Sequence, residues 1–157
     1  MSLKHGGAAS LAAFIALALG GGTAIGLLTG PDAWFAALEK PGFNPPDWVF
    51  APVWSVLYLM IGIAGWLVWR RAPRSLAMAL WGLQLGLNFL WPPVFFSLHQ
   101  IPLALAIVAL MTVLGWGFVL ATIHHMPRAA LLFVPYCLWL MFATTLNAAL
   151  YSLNPGV

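Results

Sequence analysis

Long apolar stretches alternate with short charged segments along this chain. Four stretches contain no Asp, Glu, Lys or Arg: residues 5–31, 48–69, 75–127 and 129–157. A membrane-spanning helix needs about 20 apolar residues, so the third stretch is long enough for two crossings, divided at its polar break, Ser97 to Pro102. The pattern predicts five membrane-spanning helices, at about residues 8–28, 49–70, 75–96, 102–124 and 129–152.

The composition agrees with a membrane protein. Apolar residues make up 63% of the chain, charged residues 6%, and the mean hydropathy is +0.97. A soluble domain carries about 25% charged residues, so a water-soluble globule is excluded. The segments are continuously apolar rather than alternating, which disfavours a barrel and predicts an all-α bundle. The length indicates one domain, residues 1–157.

The first apolar segment is open to a second interpretation. Lys4, the apolar run and Ala16-Leu17-Ala18 resemble a secretory signal with its cleavage site. The run continues to Leu28, which favours a retained helix.

The basic residues predict an orientation. With five crossings, one side carries Lys4, Arg70, Arg71, Arg74 and Arg128. The other side carries only Lys40. Basic loops stay in the cytoplasm, so in an inner membrane the N-terminus is expected there and the C-terminus on the opposite side.

The segment between the first two helices, residues 30–47, is predicted to be structured. It holds all three acidic residues of the chain. Pro31 and Asp32 are typical of a helix start, and a short helix is expected to reach Leu38. The region from Pro41 to Trp54 is rich in proline and large aromatic residues. Two interpretations stay open: an aromatic belt at the headgroups, or a lid over a cavity between helices.

The interior offers little acid–base chemistry. No Asp, Glu, Lys or Arg lies in the middle of a predicted helix, whereas proton-coupled carriers generally use such groups. The histidines lie at helix ends or in loops, which excludes a bis-histidine haem at membrane depth: His5, His99, His124 and His125. Cys137 is the only cysteine, and no serine or threonine has an acid–base partner. Nucleic-acid binding is excluded because there is no basic stripe.

Amide and aromatic side chains instead form stripes on two predicted helices. Spacings of three and four place one set on a single face of the third helix: Gln84, Asn88, Trp91 and Phe95. Gly82 and Gly86 point to nearly the opposite side, where a small-xxx-small motif lets another helix approach. The amides either bind a ligand or only tie helices together; both readings stay open.

The fifth helix repeats this arrangement. One stripe comprises Tyr136, Trp139, Ala143 and Asn147, in which Ala143 leaves a gap between large neighbours where a flat ligand could lie. The second helix supplies Trp54 and Tyr58, one turn apart.

Several long motifs resemble the TspO/MBR family. These are Pro31-Asp32-x-Trp34, the run from Lys40-Pro41 through Asn44-Pro45-Pro46 to Leu57-Tyr58, Gln84-Leu85-x-Leu87-Asn88-x-x-Trp91, Pro135-Tyr136-x-x-Trp139 and Phe142-Ala143-x-x-Leu146-Asn147. The family comprises the tryptophan-rich sensory proteins, bacterial relatives of the mitochondrial translocator protein (the peripheral benzodiazepine receptor). The resemblance spans roughly residues 10 to 154.

The resemblance implies a five-helix membrane bundle, commonly a homodimer, whose pocket is closed by the first loop. It implies porphyrin ligands, such as protoporphyrin IX and haem, with no obligatory cofactor and no metal site. The residues at matching positions are implied to bind the ligand: Trp34, Phe43, Asn44, Trp54, Tyr58, Gln84, Asn88, Trp91, Phe95, Trp139, Ala143 and Asn147. Gly82 and Gly86 are implied to form the dimer interface.

Three functions follow from this resemblance. The first is a membrane receptor for porphyrins and similar flat ligands, with a role in tetrapyrrole sensing, regulation or transport. The second is light- and oxygen-dependent porphyrin degradation, for which Trp54 and Trp139 are the candidate catalytic residues. The third is passive transport of small molecules. Sterol binding is disfavoured, because Tyr151 is not followed by the basic residue that sterol-binding relatives carry.

Overall fold

The computed structural model describes residues 7–156, which contain six helices and no strand. The helices are α1 (Ala8–Leu28), α2 (Ala33–Ala37), α3 (Asp47–Arg71), α4 (Leu76–Pro92), α5 (Ile101–Thr122) and α6 (Pro127–Leu153). A π-helical turn, Ala16–Gly20, interrupts α1, and a second one, Pro93–Ser97, continues α4. The all-α prediction is confirmed, and the predicted helix bounds differ from these by a few residues. Lys4 and His5 lie outside the described residues.

Four of these helices, α1, α3, α5 and α6, are long and apolar enough to cross a membrane. The third predicted crossing, at about residues 75–96, is shorter as a regular helix, because α4 has 17 residues. Its π-helical continuation adds five more residues before the chain turns. The prolines at the junction, Pro92 and Pro93, explain the change of helix type, since proline lacks the N–H that α-helical hydrogen bonding requires.

Hydrogen bonds show which helix ends lie together. The side chain of Asn154, just after α6, bonds to the backbone of Glu39. At the same end, Asp32 lies 3.0 Å from His99 in the turn between α4 and α5. At the opposite end, the indole of Trp66 donates to Ser10 at 3.0 Å, which joins the end of α3 to the start of α1.

The charges separate between these two ends. All three acidic residues of the chain lie at the first end: Asp32, Glu39 and Asp47. The opposite end carries all four arginines: Arg70, Arg71, Arg74 and Arg128. The middle of the bundle between the two ends contains none of these charges.

Close approach of α1 to α3 depends on a missing side chain. A Cβ at Gly62 would lie 2.9 Å from the Cα of Ile15 and 3.0 Å from the carbonyl oxygen of Phe14. Both of these atoms are backbone atoms, so they cannot move aside without shifting α1. Gly65 likewise leaves room for the ring of Trp81, which a Cβ at this position would overlap. The indole of Trp81 donates to the Ile61 carbonyl at 2.9 Å.

We predict that Gly62→Ala lowers the free energy of unfolding by about 1–3 kcal/mol, because the added methyl group overpacks against α1. Unfolding in detergent micelles measures this effect. Gly117→Ala is the matched control, since a Cβ there would meet only Leu80 Cδ1, at 3.8 Å. Equal stability of the two variants would contradict the close contact.

Candidate ligand-binding site

One buried carboxamide joins three helices near the centre of the bundle. Asn88 of α4 accepts a hydrogen bond from the Tyr58 hydroxyl of α3 at 2.5 Å. Its amide group donates to the Tyr136 hydroxyl of α6 at 2.8 Å. All three side chains are buried, so a low-polarity environment surrounds the network and makes each bond costly to break.

Aromatic rings surround this network on the side of α3 and α6. The ring of Trp54 lies 5.3 Å from that of Tyr58 and 6.3 Å from that of Tyr136. Trp139 meets Trp54 edge to face at 6.5 Å and Phe142 at 5.2 Å. These centroid distances correspond to ring contact. The rings therefore touch one another rather than standing apart around an open space.

A second polar contact lies nearer the acidic end of the bundle. Trp91 of α4 donates its indole N–H to the Asn147 carboxamide of α6 at 3.3 Å. The amide group of Asn147 reaches the Ile101 carbonyl at 3.5 Å. Trp91 also stacks on Phe95, with 4.9 Å between the ring centroids. The predicted stripes on α4 and α6 thus face each other.

Residues 29–46, which we call the lid, lie over these rings. Trp34 contacts Phe95 at 5.8 Å, and Phe43 contacts Phe142 at 6.4 Å. Just after the lid, Phe50 meets Trp139 at 6.0 Å. The predicted short helix exists as α2 and belongs to the lid. These contacts show that the segment packs on rings of the bundle, while its role as a lid over a cavity stays a prediction.

Within the lid, Asn44 has one satisfied and one unsatisfied polar atom. Its amide nitrogen donates to the Pro45 carbonyl at 3.0 Å. Its side-chain oxygen is buried and has no hydrogen-bond partner. An acceptor in this state is suited to a donor group on a ligand.

Gln84 points to a different neighbour from the other predicted site residues. Its amide group donates to the Met111 carbonyl of α5 and lies against Gly115. A separation of four residues turns the direction by only about 40°, but that is enough to aim Gln84 at α5 and Asn88 at the tyrosines. The structure therefore does not bring Gln84 together with Trp54 and Trp139.

The remaining predicted residues are placed as follows. Ala143 is half-buried on α6 and packs against the core. Gly82 and Gly86 are exposed, and a Cβ at either one would meet nothing within 4 Å. No group of three or more His, Cys, Asp or Glu side chains that could hold a metal ion occurs in residues 7–156.

The combination of the lid, the aromatic cluster and the buried amides agrees with a comparison with known families. The sequence profile described as the TspO/MBR family matches residues 14–152. The chain belongs to the TspO/MBR family. With its long apolar helices, this membership makes it an integral membrane protein.

Several curated members of the TspO/MBR family are similar to this chain over most of their length. The tryptophan-rich protein TspO of Archaeoglobus fulgidus is 40% identical, covering 78% of this chain and 81% of its own. The tryptophan-rich sensory protein of Cereibacter sphaeroides is 39% identical, covering 87% of both chains. The human translocator protein is 38% identical, covering 78% of this chain and 76% of its own.

The sequence did not single out three contacts of this TspO/MBR protein. The spacing predicts Tyr136 on the α6 stripe, and the resemblance does not count it among the ligand-binding residues, although it completes the Asn88 network. The sequence pattern places His99 only at a helix end or in a loop, yet its ring stacks on Trp34 with 4.1 Å between the ring centroids. Its φ of 54° is unusual for a residue with a side chain, and the stacking helps to hold it. The Asn154–Glu39 contact had no signal in the sequence, because the two residues are 115 positions apart.

Asp32 links the start of α2 to His99. Its carboxylate accepts from the Phe35 N–H at 2.9 Å, which caps α2. This backbone hydrogen bond is the main reason that the pKa of Asp32 lies below its ordinary value, and His99 lowers that pKa further. Because the pKa is lower in the folded state, ionised Asp32 stabilises the lid above the unfolded-state pKa. That contribution is lost as the pH falls through the folded-state pKa.

We predict that the lid loosens at acidic pH, as the pH falls through the lowered folded-state pKa of Asp32 and the carboxylate takes up a proton. The NMR signal of the Trp34 indole N–H, assigned with Trp34→Phe, reports the stacking on His99. Asp32→Asn retains a capping side chain but does not titrate, so its signal should stay unchanged across this range. Asp47→Asn, which keeps Asp32, should behave like the wild type. The same transition in Asp32→Asn would contradict the assignment.

Proposed function

We propose that this protein is a membrane receptor for a flat, largely apolar ligand of the tetrapyrrole class, such as protoporphyrin IX or haem. The observation that carries the proposal is the contact between Trp54 and Trp139 beside the Asn88 network and beneath the lid. Indole and phenyl faces stack on flat conjugated rings, and a few polar groups orient the bound molecule. The receptor would serve tetrapyrrole sensing, regulation or transport.

The contacts suggest how such a ligand would be held. Since the aromatic rings touch one another, a ring-sized molecule has to separate them and needs the lid to move. Hydrogen bonds to aromatic side chains hold Asn88 and Asn147 in fixed orientations. Their remaining hydrogen-bond donors and acceptors would bind the polar edge of the ligand. Gln84 is better explained as a hydrogen-bonded tie to α5.

The names of the relatives are compatible with this role. "Sensory protein" and "translocator protein" are the names of relatives in Cereibacter sphaeroides and Homo sapiens. Sensing and translocation both require reversible binding of a ligand.

The same proposal includes five membrane crossings and a homodimer. The π-helical turn after α4 brings this segment close to the length of a crossing. The open surface at Gly82 and Gly86 would let a second copy approach closely. The arginines at the end opposite the lid favour a cytoplasmic position for that end, with the lid and the C-terminus on the other side. A reporter fused after Val157 tests this orientation.

We predict that Ala143→Phe weakens binding of protoporphyrin IX by about tenfold or more, because the added ring crowds the position between Trp139 and Asn147 where the ligand is proposed to enter. Quenching of tryptophan fluorescence measures the affinity. Ala148→Phe is the matched control, since Ala148 is exposed on the same helix. Unchanged affinity in Ala143→Phe would place the ligand elsewhere.

A second candidate function is porphyrin degradation driven by light and oxygen. It is favoured by the contact between Trp54 and Trp139, whose rings lie nearly perpendicular at 6.5 Å. Two adjacent indoles beside an excited macrocycle could donate electrons to it, and the oxidising equivalents would come from oxygen.

For this second function we predict that the Trp54→Phe/Trp139→Phe double variant bleaches bound protoporphyrin IX more slowly than the wild type under equal illumination. The phenyl rings keep the apolar contact but are much harder to oxidise. Trp116→Phe, on α5, controls for the loss of any indole. Equal bleaching rates at equal occupancy would make the protein a bystander in the reaction.

A further inference from the structure

The side chain of Asn154 forms a two-point clamp on the lid. Its oxygen accepts from the Glu39 N–H at 2.9 Å, and its amide nitrogen donates to the Glu39 carbonyl at 3.0 Å. A carboxamide that engages both polar groups of one residue imitates the pairing between neighbouring β-strands. The contact therefore fixes the backbone conformation at Glu39 and the position of this part of the lid against the end of α6.

Asn154 is itself held in place by the end of α6. Its amide nitrogen also donates to the Leu150 carbonyl at 2.8 Å, and its backbone N–H bonds to the same oxygen at 3.2 Å. The carboxamide is thus oriented by the helix end before it meets Glu39. Since α6 also carries Trp139 and Asn147, the clamp connects the lid directly to the helix that lines the site.

The first part of the lid, residues 32–39, is attached at each of its ends. At its start, Asp32 meets His99, and Trp34 stacks on the same histidine. In between, the ammonium group of Lys40 donates to the Phe35 carbonyl at 2.8 Å and so stabilises the end of α2. The Asn154 clamp closes the other end of this short unit.

We propose that Asn154 is the positioning residue that holds the lid closed and sets the rate at which ligand enters and leaves. The inference rests on the proposed function only where a ligand is concerned; the clamp itself is a property of the ligand-free protein. Asn154 touches the lid and not the aromatic rings, so it acts through Glu39 rather than by contact with the ligand.

Gating by a clamp has a kinetic signature that a ligand contact lacks. If the lid closes in the same way over the empty and the occupied site, loss of the clamp raises the open fraction of both. The association and dissociation rates then rise together, and the Kd stays nearly constant. Loss of a direct contact would instead raise mainly the dissociation rate and weaken the Kd.

The first experiment uses no ligand. Hydrogen exchange of the Glu39 amide in detergent micelles reports opening of the clamp. We expect Asn154→Leu to speed this exchange by about fivefold to thirtyfold, the effect of losing two hydrogen bonds of ordinary strength. Asn154→Asp keeps the acceptor for the Glu39 N–H and should give a smaller increase. Ser152→Ala is the control, because that exposed hydroxyl bonds only to the Ala149 carbonyl of its own helix.

The second experiment measures binding of protoporphyrin IX by stopped-flow quenching of tryptophan fluorescence. In Asn154→Leu, we expect both rates to rise by a similar factor while the Kd changes less than about twofold. Ser152→Ala should match the wild type in both rates.

The two experiments separate the possible failures. Unchanged Glu39 exchange in Asn154→Leu would overturn the clamp. Faster exchange with unchanged binding rates, or with a higher dissociation rate alone, would overturn its role as a gate. Failure of the wild type to bind protoporphyrin IX would overturn the proposed function, and the exchange experiment would still decide whether the clamp holds the lid.

Discussion

Lipid offers no hydrogen bonds, so the polar groups in the interior of this protein have to find partners inside the bundle. The side-chain oxygen of Gln84 is an exception, since it is buried and has no hydrogen-bond partner. The chain places few polar side chains there, and most of them connect two helices. Asn88 joins α4 to α3 and α6, Gln84 joins α4 to α5, and Trp81 joins α4 to the backbone of α3. The register of α4 against its neighbours follows from these few bonds, while small residues such as Gly62 and Gly65 determine how closely the helices approach.

The same constraint shapes the candidate site. Its amides already hold aromatic hydroxyl or indole partners, and its rings already contact one another, so the closed state satisfies its own groups. A ligand then has to replace interactions that exist rather than fill an empty space. Binding under such conditions needs a surface that yields, and in the proposed function the lid supplies it. Polar contacts attach the lid at Asp32 and Glu39, and its ring contact at Phe43 lies beyond these attachments. The exception within the lid is Asn44, whose buried oxygen has no partner in the closed state.

Much of this arrangement could be predicted from local sequence pattern. Uncharged runs gave the helices to within a few residues, and the spacing of Asn88 and Trp91 put them on the face that meets α6. The direction of Gln84 was not predictable in this way, because a face defined by spacing is wide enough to meet two different helices. Contacts between distant segments, such as Asn154 with Glu39 or Asp32 with His99, leave no periodic signal. They depend on which helix ends the fold brings together, and that is decided by packing of all the helices at once.

The two ends of the bundle are built for different tasks. At the arginine end, short turns join helices that pack directly, and the charges lie outside the apolar interior. At the lid end, a longer connection carries the acidic residues and is attached through polar contacts at the edge of the membrane. Polar contacts partly open to water contribute less than buried ones, because water competes for each partner. The proposed gate needs an attachment of this kind, strong enough to define one closed position and weak enough to be released. A buried attachment such as the Asn88 network would hold the same segment far more tightly, and exchange of any ligand would then require part of the helical core to separate.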